Sequence, residues 1–233
     1  QAAIEAAQSL KDISDSQLAV VLTGQYTNEE YEVLLKNIKT KNVFHWKNSE
    51  DKWSEFDGLL IRGDKNPNSR GLQSALKAAG ISTEWKTFEA GLKSGQFKAV
   101  IVAGPEIIAS HKDFAEKVKL ISSASLSVWL TSCPSKEFEK FKSGSYVIPM
   151  KSYLEKSGTF TNHSGLEQKF KKATTIVSHA LTLAEASYLL TGQNIPLNVP
   201  SEEDRFVDLA RRPDQVMLEH RKKNEFVFKR GSL

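Results

Sequence analysis

The chain has 233 residues, of which 39% are apolar, 13 are Gly and 7 are Pro, a globular composition long enough for one α/β domain or two small ones and too poor in Gly and Pro for a low-complexity linker. Its 32 basic and 28 acidic residues leave a net charge of +4, spread too thinly to form a nucleic-acid face even at the small clusters Lys169, Lys171, Lys172 and Arg221, Lys222, Lys223. Apolar runs of four or five residues exclude a membrane-spanning helix, which needs about 20, and the single cysteine, Cys133, excludes an internal disulfide, a Cys-rich zinc site and a four-thiolate iron–sulfur cluster held by this chain alone.

The chain opens at Gln1 on a helix-like stretch, Ile4–Leu10, which suggests a segment of something longer. Gln17–Thr23 (QLAVVLT) is compact, apolar and β-branched, and predicts a buried strand. Thr27 and Glu30 have capping-box spacing, and Tyr31, Leu34, Leu35 and Ile38 then repeat at helical spacing. Asn42–Trp46 and Gly58–Arg62 (GLLIR) predict a second and a third strand. Gly63–Gly71 is a polar run of turn formers. Leu72, Ala75, Leu76 and Ala79 follow as a helix that stops at Gly80. Thr83–Phe88 predicts a short edge strand, and Ala99–Ala103 (AVIVA) a buried strand ended by Gly104-Pro105. A helix over His111–Val118, a strand over Leu126–Thr131, a helix over Pro134–Phe141 and a strand over Tyr146–Met150 complete the alternation. Lys151–Gln168 is polar, with Gly158 and Gly165. Thr182–Leu190 predicts an amphipathic helix and Asn194–Pro200 a loop. Glu202–Arg212, capped by Ser201, and Pro213–His220 predict two further helices, and Asn224–Lys229 an alternating strand.

Strands alternating with helices predict an α/β fold, a mainly parallel sheet flanked by helices, with a less regular C-terminal part. Residues 1–150 form the α/β domain, and 151–233 a polar loop with a helical extension packed on the same domain. Ligands in such folds bind at the C-terminal ends of the strands. That rule directs attention to Gly63–Gly71 and to the turn after Ala103.

Chemistry-bearing motifs are few. No two of His45, His111, His163, His179 and His220 have metal-ligand spacing. Cys133 reads as a plain thiol. Neither a Walker A loop nor a Gly-x-Gly-x-x-Gly turn is present. Asp64, Asn66, Asn68 and Ser69 can hold a tight turn by local hydrogen bonds or meet a polar ligand. Ser157-Gly158-Thr159-Phe160-Thr161-Asn162 is the most distinctive segment. Gly158 permits close backbone approach. Thr159, Thr161 and Asn162 bring donors and acceptors, and Phe160 is expected to anchor the loop to the core. These residues describe a fixed polar loop without choosing a ligand.

Glu155–Asn162, with Gly165 and Gln168, resembles the E-K-x-G-T-F-T-N-x-x-G-x-x-Q segment of the molybdopterin oxidoreductase superfamily. Tyr146–Met150 stands where that family has a D-V-V-L-P strand, and Pro149 matches its proline. Asp64–Gly71 is similar to the N-x-N-x-R-G segment of the large subunit of bacterial NADH:quinone oxidoreductases (complex I), and Lys98–Ser110 to that subunit's K-A-L-Y-V-x-G-x-x-P strand and turn. The resemblance runs in order over residues 15–192. Where the family has T-E-G-R, this chain has His163-Ser164-Gly165-Leu166 and lacks the arginine, a bidentate donor to phosphate.

The resemblance implies a longer parent with iron–sulfur clusters upstream, in a respiratory complex that is cytoplasmic and peripheral to the inner membrane. It implies partners among the cluster-bearing domains and neighbouring subunits, with no nucleic acid and no membrane span. The expectation is a non-catalytic scaffold domain with no cofactor of its own, this chain alone being inactive. The alternative is part of a formate-dehydrogenase-like enzyme contacting a molybdopterin guanine dinucleotide. Its cofactor-binding residues would be Asn66, Asn68, Gly158, Thr159, Thr161 and Asn162, with no catalytic or metal-binding residue. A free-standing nucleotide-binding module is a third class, by fold analogy alone.

Overall fold

Five parallel strands form the centre of the fold: β1 (Leu18–Leu22), β2 (Val43–His45), β3 (Ala99–Ala103), β4 (Leu126–Thr131) and β5 (Ser145–Pro149), in the order β2-β1-β3-β4-β5. The structure is a computed structural model that describes residues 1–199 apart from 50, 51, 60, 83, 134, 142 and 143. The sequences of β1 and β3 are continuously apolar, and β4 is buried at every position, because both faces of the sheet are covered. Val20, Leu22, Ile101, Val128, Leu130 and Ile148 face one core layer, shared with Tyr31, Leu34, Leu72 and Leu183. Val21, Val100, Val102 and Trp129 face the other, an aromatic layer with Phe44, Trp46, Phe88 and Phe114.

Helices α1 (Ala2–Leu10), α2 (Asn28–Asn37) and α3 (Ser69–Ala78) serve the first layer, and α4 (Trp85–Lys93) and α5 (Phe114–Ile121) the second. The strand order reverses between β1 and β3. The connections leaving these two strands therefore lie on opposite faces and open a crevice at their C-terminal ends. After β5 the chain makes a 3-10 turn at Tyr153–Glu155, then an antiparallel hairpin of β6 (Gly158–Thr161) and β7 (Glu167–Phe170). It returns beside β5 through a parallel bridge between Met150 and Leu181. Helix α6 (Leu183–Leu190) packs on α1 and α2 and inserts Leu183, Ala186 and Leu190 into the first layer.

Several sequence expectations need correction. Gly58–Arg62 is not a strand; among its described residues only Arg62 pairs, in one antiparallel bridge to Phe56. The Asp57 carboxylate captures the Leu59 and Ile61 amides, each at 2.9 Å, which closes a loop and removes those donors from any ladder. Thr83–Phe88 is not an edge strand: α4 starts at Trp85, because Trp85, Phe88 and Leu92 share one helical face against the aromatic layer. The helix predicted from His111 begins at Phe114, behind a 3-10 turn at Ile108–Ser110. Pro134–Phe141 holds a 3-10 turn, Lys136–Lys140, in place of an α-helix. Lys151–Gln168 contains regular structure that its polarity hid. The elements expected over 201–229 lie outside the described residues.

Candidate functional site

The loops after β1 and β3 meet at the crevice, and Gln25 joins them. Its Nε2 donates to Asn66 Oδ1 at 3.0 Å, and its Oε1 accepts from the amides of Glu106 and Ile107. Asn66 in turn donates through Nδ2 to Asn48 Oδ1 and Asp64 Oδ1, both at 3.3 Å. Asp64 Oδ1 also accepts from the Asn66 amide and from Ser69 Oγ, each at 3.0 Å. The polar run 63–71 is thus a turn built on Asp64, Asn66 and Ser69 with Gln25 and Asn48 from neighbouring loops, and it delivers Asn68 to the start of α3.

Asn68 is fully buried and uses three of its hydrogen-bonding positions. Its Nδ2 donates to the Tyr26 carbonyl at 2.7 Å and to Asn28 Oδ1 at 2.9 Å, and its Oδ1 accepts from the Thr161 amide at 2.7 Å. Asn28 Nδ2 closes the ring by donating to Thr161 Oγ1 at 2.8 Å. One pleat back along β6, Glu29 accepts from the Thr159 amide at 2.9 Å and from its hydroxyl at 2.6 Å. Gly158 lies flat on Thr27, where any Cβ would run into the Thr27 side chain. Strand alternation then turns Thr159 and Thr161 into the domain and leaves Phe160 half-buried. Phe160 does not anchor the loop to the core; its ring packs on Phe170 of β7 at 4.8 Å. Asn162 closes the hairpin turn, its Oδ1 accepting from the Ser164 and Leu166 amides at 2.9 and 3.0 Å.

Of the six residues picked from sequence, the structure brings Asn68, Gly158, Thr159 and Thr161 together at the N-termini of α2 and α3. Asn66 stands one hydrogen bond behind them on Gln25, and Asn162 acts locally. Two clefts open beside them: one of about 500 Å³ lined in part by Arg62, Asn66, Arg70, Thr161, Asn162 and His163, and one of about 710 Å³ lined in part by Asn28, Arg70 and Thr161.

Beneath the hairpin lies a buried ion pair that sequence reading missed. Lys156 Nζ reaches both Glu30 oxygens, at 2.8 and 3.1 Å, with neither side chain exposed. Glu30 also accepts from the Thr27 amide, completing the capping box, and from the Leu183 amide, each at 2.9 Å. Lys156 sits 4.7 Å from the centre of the Tyr26 ring. The Tyr26 and Tyr31 hydroxyls donate to the Leu130 and Thr23 carbonyls at 2.9 and 2.5 Å, and burial pushes both phenols well above their usual range.

Glu106, just past β3, was also missed. Its Oε1 is buried without a hydrogen bond although the residue as a whole is partly exposed. Burial pushes its carboxyl up to about 7; Lys156 opposes that rise and Glu30 adds to it. The only sequence signals for these groups were the T-N-E-E run opening α2 and an acid next to a strand-ending proline.

The first turn of a helix after a strand is the usual place for a phosphate, because its amides are free and the helix dipole is positive there. In α2 the Thr27 hydroxyl accepts one of those amides, the Glu30 carboxylate stands at the cap, and Glu29 is held by the hairpin. Glu30 is neutralised by Lys156, but the capping box already occupies the cap and the Glu29 carboxylate adds negative charge beside it. The asparagine and threonine groups that could have turned to a ligand are already hydrogen-bonded within the protein. The residues present therefore do not fit a dinucleotide pyrophosphate in the β1/β3 crevice. Among the described residues, no group of three or more His, Cys, Asp or Glu side chains is arranged to hold a metal ion.

Compared with known proteins, the chain matches no family model and no curated protein.

Proposed function

We propose that this chain is a scaffold domain from the large subunit of an NADH:quinone oxidoreductase, part of a respiratory electron-transfer complex and without a redox centre of its own. The observation that carries the reading is the use made of the G-T-F-T-N segment. Its two inward threonines and its glycine fasten a hairpin to Glu29, Asn68, Asn28 and Thr27, so that these groups bond within the protein. A segment that resembles a cofactor cradle here serves as a strap. The Leu166 found in place of the family's arginine is exposed on the same hairpin. In this reading the electron carriers are iron–sulfur clusters upstream in the parent chain. The partners are its cluster-bearing domains and neighbouring subunits, and the complex is peripheral to the cytoplasmic side of the inner membrane. Among the described residues, no helix is long and apolar enough to cross a membrane.

The test uses the full-length parent. Denatured samples should release no stoichiometric molybdenum or oxidised pterin. Thermal melts of this chain with guanine or adenine nucleotides should not move. A ligand held at 100 times its Kd would stabilise the native state by about 2.7 kcal/mol, a shift of several degrees. Stoichiometric molybdenum with pterin would favour the dinucleotide-contacting alternative instead, and a nucleotide-dependent melt the free-standing module.

A further inference from the structure

Between β2 and α3 the chain makes a protruding loop that the sheet does not need. Its neck is closed by the Gly63 amide on the Glu55 carbonyl at 2.8 Å, and a Cβ at Gly63 would run into the Lys52 carbonyl. Its tip is held by Asp57, whose amide donates to the Ile61 carbonyl at 3.0 Å while its carboxylate takes the Leu59 and Ile61 amides. The Arg62 guanidinium lies 3.9 Å over the Phe56 ring. The loop closed by these bonds, beside the C-terminal end of the sheet, presents large apolar side chains to water. Leu59 is 88% exposed, Ile61 64% and Phe56 45%. Exposed apolar side chains grouped on a loop closed by its own hydrogen bonds mark a contact surface.

The surface is concave. A cavity of about 770 Å³ runs between Phe56 and Ile61 on one wall and the Ala109–Lys112 segment after β3 on the other. Four cations line it, Lys52, Arg62, Lys65 and Lys112, against Glu55 and Asp57, and Asp57 is already bonded to its own loop. A second copy of the chain would bring the same excess of positive charge to the contact. A flat bilayer would meet Leu59 but not the cavity walls.

We infer that the groove between the 52–65 loop and residues 109–112 is a docking site for a partner polypeptide, one that inserts a large apolar side chain flanked by Asp or Glu. The inference deepens the scaffold reading, on which it rests for the existence of partners, by giving one contact face its chemistry. It does not depend on whether the β1/β3 crevice takes a cofactor, and the two readings fail on different measurements.

Fluorescence anisotropy with the full chain tests it, using a labelled short peptide that alternates Glu with Leu and Phe, and a control with Lys for Glu. The acidic peptide should bind saturably and weaken as salt rises from about 0.05 to 0.3 M, because exposed charge pairs are screened. The basic peptide should not bind. Leu59→Asp with Ile61→Asp should weaken binding at least about tenfold, and Lys112→Glu several-fold, with unchanged far-UV circular dichroism. These side chains are exposed, so the variants should fold. Failure of the acidic peptide to bind, equal binding of both peptides, or indifference to the variants would overturn the proposal. So would sedimentation with phosphatidylserine vesicles that needs Leu59 while the peptide stays free, or a dimer abolished by the tip substitutions.

Discussion

Lys156 carries a charge into a fully buried position, and what makes this tolerable is a complete set of partners. Glu30 offers both oxygens to Lys156 and also takes the Thr27 and Leu183 amides, so the carboxylate replaces its lost water with three donor groups. Removing one charge leaves the other stranded. Lys156→Met should therefore lower unfolding stability by about 3 to 5 kcal/mol in urea titrations, and adding Glu30→Gln should restore part of that loss. Two other titratable groups act in opposite directions on the pH dependence. Glu106 is raised from 4.5 to about 7, so the folded protein holds its proton more tightly than the unfolded chain. Its contribution is complete below about pH 4.5 and is lost as pH rises to about 7. Glu106→Gln should thus gain stability relative to the parent as pH climbs through that window, by at most about 3 kcal/mol and less to the extent that water reaches the side chain. His45 is lowered from 6.5 to about 3 by burial first, then by the charges of Lys47, His111 and Lys117. The unfolded chain binds the proton more readily, so stability falls as pH drops below about 6.5. His45→Phe should flatten that acid limb, as read from melts in paired buffers; an unchanged limb would assign the acid sensitivity to other groups.

At the scale of elements, the hairpin is held through backbone and small polar groups in place of an apolar face. β7 exposes Glu167, Gln168 and Lys169, and the ring contact between Phe160 and Phe170 lies within the hairpin itself. Its attachment to α2 and α3 rests on the Asn68, Glu29 and Asn28 bonds and on close approach at Gly158. Gly158→Val would push β6 off Thr27 and stretch those bonds together, with an expected loss of about 1 to 3 kcal/mol. Hydrogen exchange gives the sharper readout. The Thr159 and Thr161 amides, both bonded to side chains of the domain, should lose protection while the amides of β3 and β4 keep theirs. Equal loss in the sheet would mean that the hairpin is integral to the core.

For the molecule as a whole, the segment after β5 completes the first core layer. Leu183, Ala186 and Leu190 fill it, and the Lys151 and Leu181 amides join the chain to the sheet edge beside Pro149. A chain ended after Met150 would lose these side chains and both distant partners of Glu30. It should show no cooperative thermal transition, whereas the full chain should unfold in one step with coincident circular dichroism and tryptophan fluorescence. Fluorescence reports mainly on the aromatic layer, where Trp46 and Trp129 are fully buried, and α6 lies on the opposite face. Two separate transitions would show that the layers fold independently.

Local patterns in the chain were enough to determine the parallel core. QLAVVLT and AVIVA read as strands because a sheet covered on both faces needs apolar residues at every position. Thr27 and Glu30 announced the start of α2 because a capping box is complete within four residues. Gly58–Arg62 and Thr83–Phe88 misled because short apolar runs satisfy a strand, a loop tip or a helix face equally well until a neighbour chooses among them. The candidate site followed the same division. Its residue types were legible, but their partners were not: Glu30 and Lys156 stand 126 positions apart, and Asn68 and Thr161 stand 93 apart. Hydrophobic periodicity is written along the chain, whereas the pairing of buried polar groups depends on which segments meet in space. Only the tertiary structure could decide that these side chains hold one another.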